Sequence, residues 1–486
     1  MTLLDAGTWT SRIFSDGWMK PSGGEAPVVQ PATGDELGQI GIGSPDDLAD
    51  AAARAVEAQR AWAATNFEER AAVMRRAGAL WEEHAAEVES WLVREAGSIP
   101  PKAAVETHVA AQECYEAAAL ASHRLGEILP TARPRLSLAR RRPVGVVGVI
   151  APFNYPLILS IRSVAPALAL GNAVVLKPDP RTAISGGVTL ARIFEEAGLP
   201  PGLLHVLPGG ADLGAALVEH PQVPVISFTG SSAAGRIVGA TCGRLLKRAL
   251  LELGGNSALI VLDDADLDLA VSAGAFGSFL HQGQICMTTG RHLVHSSIAD
   301  EYVERLSAKA DGLPVGNPAT EQVALGPLID AGQRDKVHGL VTASVGDGAR
   351  LAAGGSFEDL FYRPTVLAGA VSATPAYTGE VFGPVAAVNT FQDLDEAVAL
   401  ASDSEYALSL GILTADVSKA LALADRIPTG IVHINDQTVD DEAVAPFGGR
   451  GASGTGARFG GPAANIEAFT DTQWLTMQGT IDQYPF

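Results

Sequence analysis

The chain has 486 residues, with 34 lysines and arginines against 55 aspartates and glutamates, a formal charge of −21 at pH 7. At roughly 100–200 residues per domain this length predicts two to four domains, and a composition 47% hydrophobic and 18% charged excludes wholesale disorder. The acidic balance argues against nucleic acid or an anionic membrane as the main partner. Met1 to Lys20 has no basic segment followed by an apolar core. The apolar stretch Val164 to Leu176 is broken by Pro166, Gly171 and Asn172, well short of the ~20 apolar residues of a membrane span. Three scattered cysteines, at 114, 242 and 286, make neither a disulfide framework nor a Cys-rich zinc site. The expectation is a cytoplasmic chain with no resident metal.

In chain order, Asp46 to Ala96 is Ala-rich with apolar residues at helical spacing and predicts two helices, the second starting near Phe67. Helical character continues from Pro101 to Leu125. Arg133, Arg135, Arg140, Arg141 and Arg142, interleaved with Leu136 and Leu138, predict an exposed or intersubunit strand pair. Short apolar runs at Val144–Ile150, Ala173–Leu176, Leu204–Leu207 and Val225–Phe228 then alternate with helical patterns at Leu157–Leu170, Thr182–Ala197 and Ala211–Glu219. That rhythm is the mark of a parallel α/β sheet. A second such rhythm runs from Leu259 to Asn435, with helices expected at Asp266–Leu280, Ala299–Ala310 and Leu394–Ser402. Glu467 to Gln478 alternates as a half-buried strand does.

Candidate chemistry clusters at a few points. Cys286 lies in Gln282-Gly283-Gln284-Ile285-Cys286-Met287-Thr288. A lone cysteine is more often a buried hydrophobe, but small, polar and glycine neighbours favour a reachable sulfur near backbone N–H groups. Cys114 and Cys242 read as structural. Glu252, in Leu251-Glu252-Leu253-Gly254-Gly255, is either an ordinary strand-end carboxylate or a desolvated general base. Phe228-Thr229-Gly230-Ser231, with Gly235 after it, ends a strand in a glycine turn and leads into a helix, a way of holding pyrophosphate. Lys177 closes another strand, in reach of a cofactor hydroxyl or phosphate. Asn154, in Pro152-Phe153-Asn154-Tyr155-Pro156, offers a rigid amide to an oxyanion.

Taken together and in order, Pro152–Pro156, Lys177-Pro178, Phe228–Gly235, Glu252–Gly255, Gly283–Cys286, Glu380-Val381-Phe382-Gly383-Pro384 and Pro446-Phe447-Gly448-Gly449 resemble the NAD(P)-dependent aldehyde dehydrogenase superfamily over nearly the whole chain. The 34-residue separation of Glu252 and Cys286 also matches it. The resemblance implies that Cys286 attacks the aldehyde, that Asn154 and the Cys286 N–H bind the oxyanion, and that Glu252 activates the water that hydrolyses a thioester. It assigns Lys177 to the adenine ribose, Phe228, Gly230, Ser231 and Gly235 to the pyrophosphate region, and Glu380 with Phe382 to the nicotinamide ribose. It also implies a Rossmann-like cofactor domain (1–124 and 144–255), an α/β catalytic domain (256–445) and a small β oligomerisation flap with the C-terminal segment (125–143 and 446–486), assembled as a homodimer or homotetramer.

Three departures from the commoner pattern stand out. Arg162-Ser163 replaces a frequent Lys before Ala165-Pro166-Ala167-Leu168. Gly456-Ala457-Arg458-Phe459 stands where many relatives have Gly-Arg-Glu, which leaves Glu252 as the base alone or nearly so. Pro180 takes the place of a Glu common in NAD-preferring members, with Asp179 beside it and Lys177 and Arg181 near, so dual use of NAD and NADP is expected. His433 to Thr438, Asp440-Asp441-Glu442, Lys177 to Thr182 and Arg458 to Gly461 resemble the benzaldehyde and vanillin dehydrogenase branch. An apolar tunnel of Phe153, Tyr155, Leu157, Ile285, Met287 and Phe447 suits a flat ring. The alternatives are an aliphatic or semialdehyde dehydrogenase, a CoA-acylating relative, which Glu252 argues against, and a silent scaffold, which the retained Cys286, Glu252 and Asn154 argue against.

Overall fold

The computed structural model describes residues 2–369 and 371–486. Two seven-stranded sheets organise it. In the first, the order is Arg248–Glu252, Val225–Thr229, Val146–Ile150, Ala173–Lys177, Leu204–Val206, and then the antiparallel pair Ile13–Ser15 and Trp18–Met19. Its strands Val146–Ile150 and Ala173–Lys177 are buried at every position. Such continuous apolar runs arise because helices cover both faces of a parallel sheet.

The strand Val146–Ile150 has Ala173–Lys177 on one side and Val225–Thr229 on the other, both parallel to it. The chain therefore winds away in opposite directions from this strand, and ligands bind at the carboxyl ends where strand order reverses. In-register pairing puts Ile150 beside Lys177 and Phe228, and Thr229 beside Glu252. Residues scattered over a hundred positions of sequence thus end on one sheet edge.

The second sheet runs Ala349–Ala353, Thr365–Gly369, Val385–Phe391, Thr289–His295, Ser257–Val261, Ser409–Leu413, Ile431–Ile434, antiparallel only at its first pair. Glu252 ends the last strand of the first sheet and Ser257 begins a central strand of the second, so Leu253–Asn256 is the joint between them. A third, three-stranded sheet pairs Thr470–Met477 with Leu136–Pro143, and that strand with Gly126–Ile128. The expected C-terminal segment divides: Phe459, Ile466 and Phe469 sit in the core of the first sheet, and of its later residues 470–477 form the strand.

Local chemistry explains most element boundaries. Ser44 and Asp47 form a capping box that starts Pro45–Ala64. Asn66 caps Phe67–Glu83, and His84 separates that helix from Ala85–Ala96, so the region expected to hold two helices holds three. The helix expected over Thr182–Ala197 is interrupted by a wide turn at Ile184–Val188, where the Glu95 carboxylate accepts the Ile184 and Ser185 N–H groups at 2.8 and 2.7 Å. No helix among the described residues is long and apolar enough to cross a membrane.

Candidate active site

Cys286 follows three consecutive residues in the left-handed region, His281, Gln282 and Gly283 (φ 48°, 58° and 66°). A Cβ on Gly283 would stand 2.1 Å from the Gly383 carbonyl, so the turn needs glycine there. Gly255 does the same service for the nucleophile itself: its Cβ would fall 2.1 Å from the Cys286 carbonyl. Gln282 ties the strained turn down by donating to the Gly97 and Pro327 carbonyls at 3.1 and 2.7 Å.

The Cys286 sulfur borders two recesses. One is a cavity of about 620 Å³ walled mainly by apolar and aromatic groups, among them Val105, Tyr155, Phe276, Ile285, Met287 and Phe447. The other is a cleft of about 340 Å³ along the carboxyl edge of the first sheet. Burial pushes the Cys286 thiol up to about 12, the charges of Glu380 and Glu252 add to this, and Arg162 opposes it. In the free protein the sulfur is therefore protonated at neutral pH.

Asn154 lines both recesses beside Cys286. Its side-chain amide donates to the Gln284 carbonyl at 2.8 Å, leaving a second amide hydrogen for another acceptor. The loop that presents it is held from behind by two residues that the sequence did not single out. Lys102 donates to the Asn154 carbonyl at 2.9 Å, forms a buried ion pair with Glu106, and lies 4.1 Å from the Tyr155 ring centroid. Glu106 in turn accepts the Leu157 N–H at 2.8 Å. Burial pushes both charges toward neutrality, and the attraction between them opposes it. The pair is an i,i+4 step of the helix Pro100–Leu120, indistinguishable in sequence from a surface ion pair.

Glu252 is 2% exposed, and neither of its carboxylate oxygens has a hydrogen-bond partner among the described residues. Desolvation raises its pKa well above the usual carboxylate range, against the pull of Arg162 and Arg458. Its side chain lies on the wall of neither recess. It rests against Gly448, whose Cβ would stand 2.8 Å from Oε1. Arg162, noted in the sequence only as a departure, lines the cavity, pairs with Asp441, and lies 4.6 Å from the Phe447 ring centroid.

The cleft carries Lys177, Asp179, Phe228, Gly230, Ser231, Glu380 and Phe382 together, with Phe153 on its wall as well. Pro180 and Gly235 do not reach it: Pro180 opens a helical turn, and Gly235 packs its helix on Leu253. Leu157 points into the core, and Phe153 faces the cleft, so of the six expected tunnel residues Tyr155, Ile285, Met287 and Phe447 line the cavity. Gln333 and Lys336, which no local motif marks, complete the cleft. Gln333 donates at 2.6 Å to the carbonyl of Phe382, a residue itself held at φ 55°.

The donor set fits a dinucleotide. Lys177 is nearly buried, with no hydrogen-bond partner for its Nζ among the described residues, and burial lowers its pKa. Ser231, on the cleft wall, caps the thirteen-residue helix Ser232–Arg244. Glu380 accepts the Gly255 N–H at 2.9 Å with Oε1 and keeps Oε2 for a hydroxyl. Asp179 is already engaged by Arg181, accepting its N–H at 3.0 Å, Nε at 2.9 Å and Nη2 at 2.8 Å. Arg181 also donates to Asp330 at 2.6 Å.

Comparison with known proteins places this geometry. The aldehyde dehydrogenase family matches residues 18–475. The vanillin dehydrogenase of an Amycolatopsis species is 73% identical over all of both chains. The benzaldehyde dehydrogenase [NAD(+)] of Pseudomonas putida is 50% identical over 98% of each. A crystal structure of a salicylaldehyde dehydrogenase from Pseudomonas putida, complexed with salicylaldehyde, superposes with a TM-score of 0.94 at 35% identity, covering 98% of this chain and 99% of that one. With a full-length match of this kind, and a cysteine set between an apolar cavity and a dinucleotide-shaped cleft, the chain belongs to the aldehyde dehydrogenase family.

Proposed function

We propose that this chain oxidises aromatic aldehydes of the benzaldehyde and vanillin type to carboxylic acids with a nicotinamide dinucleotide, through a covalent intermediate on Cys286. The observation that carries the reading is the place of Cys286 on the wall of both recesses, with Tyr155, Phe276 and Phe447 on the cavity side. Flat aromatic walls suit a flat ring, and a cavity of about 620 Å³ is within the range of small-molecule sites.

The chemistry follows from the side chains. The Cys286 thiol gives up its proton to solvent as its sulfur bonds to the aldehyde carbon, and the free Asn154 amide hydrogen and the Cys286 N–H meet the oxygen of the resulting thiohemiacetal. A nicotinamide in the cleft would supply the hydride acceptor that oxidation to a thioester requires, and Lys177, Ser231 and Glu380 would hold the dinucleotide. Glu252 then swings from Gly448 toward Cys286 and takes a proton from the water that attacks the thioester carbon. Burial, which outweighs the pull of Arg162, Arg458 and the Gly449 N–H, is what gives its carboxylate the basicity for this.

NADP serves alongside NAD. Arg181 occupies the Asp179 carboxylate with three hydrogen bonds, which weakens its repulsion of a 2′-phosphate, and Lys177 retains an uncommitted charge. The two cofactors should differ by no more than about tenfold in kcat/KM, since one partly solvated charge contact is worth ~1 kcal/mol. The exposed Trp474 and Met477, on a strand already paired along its other edge, support assembly into a homodimer or homotetramer through the three-stranded sheet.

Initial rates with benzaldehyde, vanillin, hexanal and succinic semialdehyde, each with NAD and NADP, test the reading. The expected order places both aromatic aldehydes at least tenfold above the others in kcat/KM. Preference for hexanal would overturn the aromatic assignment, and strict NAD dependence would overturn dual cofactor use.

A further inference from the structure

Five ionisable side chains gather beside the cavity, and four of them keep buried polar atoms unpaired. Arg162 pairs with Asp441 through Nη2, and its Nε stands 4.0 Å from Glu113 Oε1. The Arg162 guanidinium lies over the ring of Phe447, and the next residue, Gly448, is the one against which Glu252 rests. Arg458 Nη1 and Glu252 Oε1 are each 2.8 Å from the point where a Gly448 Cβ would stand, so no more than twice that distance separates them. Six buried polar atoms of this group have no hydrogen-bond partner among the described residues: Glu113 Oε1, Arg162 Nε and Nη1, both oxygens of Glu252, and Asp441 Oδ1.

Buried polar atoms in native proteins are almost all satisfied, by protein or by water. Donors and acceptors gathered in this way between a base and a cavity are suited to conduct protons through water. Asp441 differs from Glu113 and Glu252 in one respect. Its side chain is 16% exposed, against 2% for Glu113, and it lines the cavity whose mouth carries the exposed Val105 and Phe276.

We propose that Asp441 is the proton outlet of Glu252, a residue that acts through the base and not on the substrate. The proposal rests on the Cys286–Glu252 reading above. In deacylation the water oxygen bonds to the thioester carbon while its proton passes to Glu252. The carbon–sulfur bond then breaks, and its electron pair stays on the Cys286 sulfur, which takes up a proton from solvent once product and cofactor have left. Glu252 is left as a neutral acid. Its proton moves through hydrogen-bonded water to the Asp441 carboxylate and from there to solvent, restoring the base. Arg162 keeps its charge throughout and fixes Asp441 in place.

The charged groups facing Glu252 are Arg162 from the helix Pro156–Ala169, Arg458 and Asp441 from the C-terminal part of the chain, and Cys286. Those facing Asp441 are Arg162, Glu113 from Pro100–Leu120, Tyr155, Glu252 and Cys286. The negative charge of Asp441 raises the Glu252 pKa. A purely electrostatic Asp441 therefore makes a definite prediction: Asp441→Asn would move the acidic limb of the deacylation profile to lower pH and leave its plateau intact.

Multiple-turnover mixing with excess aldehyde and dinucleotide separates the roles, with the first-turnover burst of reduced nicotinamide followed by absorbance and steady acid formation by quenched sampling, across pH 6–10 and a range of imidazole concentrations. Asp441→Asn is expected to retain the first-turnover burst of nicotinamide reduction within about threefold while steady acid formation at low buffer falls at least tenfold on the plateau. Imidazole should restore most of that loss in the variant and leave the wild type unaffected. An intact plateau, a loss that no buffer repairs, or an equal loss in both steps overturns the outlet. If Asp441→Asn does not fold, Arg162→Met with Asp441→Leu removes both charges together, and buffer-independent acid formation by that variant has the same force. Failure of the aromatic reading is separate: the wild type would then make acid from hexanal and not from benzaldehyde, and the same comparison would be run with hexanal.

Discussion

Cys286 is a nucleophile that the resting protein keeps protonated. Its pKa of about 12 follows from burial and from the carboxylates of Glu380 and Glu252, so ionisation has to accompany binding of substrate and cofactor. A raised thiol pKa has a definite sign: the thiolate fraction at pH 8 is on the order of 10⁻⁴, and it grows about tenfold with each pH unit until the pKa is reached. Alkylation of Cys286 by iodoacetamide in the free enzyme should therefore keep climbing through pH 9 and 10, where an ordinary thiol flattens. Peptide mass mapping identifies the site, and a plateau below pH 9 would contradict this account. Cys114 is fully buried and its pKa is raised still further, so it should stay unlabelled.

At the scale of elements, the helix Pro100–Leu120 is the support of the oxyanion site. Lys102 and Glu106 hold the carbonyl of Asn154 and the N–H of Leu157, one on each side of the turn that aims the amide. Removing Lys102 alone would strand a buried carboxylate, at a cost of about 3–5 kcal/mol. The double change Lys102→Met with Glu106→Gln avoids that and keeps an acceptor for Leu157. It should fold, leave KM nearly unchanged and lower kcat about tenfold or more. The limit is Asn154→Ala, for which a lost oxyanion donor predicts roughly 10²–10³. A double variant with wild-type kcat would mean that the loop positions itself.

Elements also differ in how far the sequence announces them. The strands that carry the site are legible because continuous apolar runs between helical patterns have one common solution, and the expected runs ending at Ile150, Leu176 and Phe228 lie within a residue of the observed strand ends. The helices Ala331–Gly346 and Val417–Ala424 were not expected, although the first supplies Gln333 and Lys336 to the cleft. Only Val337, Val341 and Ser344 of the first are buried, which leaves little apolar periodicity to read. The strand expected from Glu467 begins at Thr470, because Pro462 at a first helical turn starts the short helix Pro462–Phe469. Lys102 and Glu106 belong to no motif, and Asp441 stands in the sequence only as part of a resemblance, for a different reason. Each is a common surface residue type, and burial, which only the fold confers, is what gives it a role.

For the whole molecule, the sheet built from Gly126–Ile128, Leu136–Pro143 and Thr470–Met477 stands apart from both main cores. Trp474 is 66% exposed, donates to Ser137 at 2.9 Å, and has Arg135 over its ring. If this sheet joins copies of the chain, Trp474→Glu should lower the mass seen by light scattering to that of a smaller assembly while activity per folded chain persists. An unchanged mass would place the interface elsewhere.

That same pairing imposes an order on biosynthesis. Arg140 contacts Gln473, 333 residues later, so the strand Leu136–Pro143 leaves the ribosome long before its main partner exists. At ~5–20 residues per second the wait is roughly 20–70 s. An apolar edge left open for that time would recruit strands from other nascent chains, whereas Arg140, Arg141 and Arg142 make it a poor template for strands other than its partner, which sets Asp471 opposite Arg142 and Gln473 opposite Arg140. The arginines of this strand thus protect the chain during translation before they serve the finished sheet.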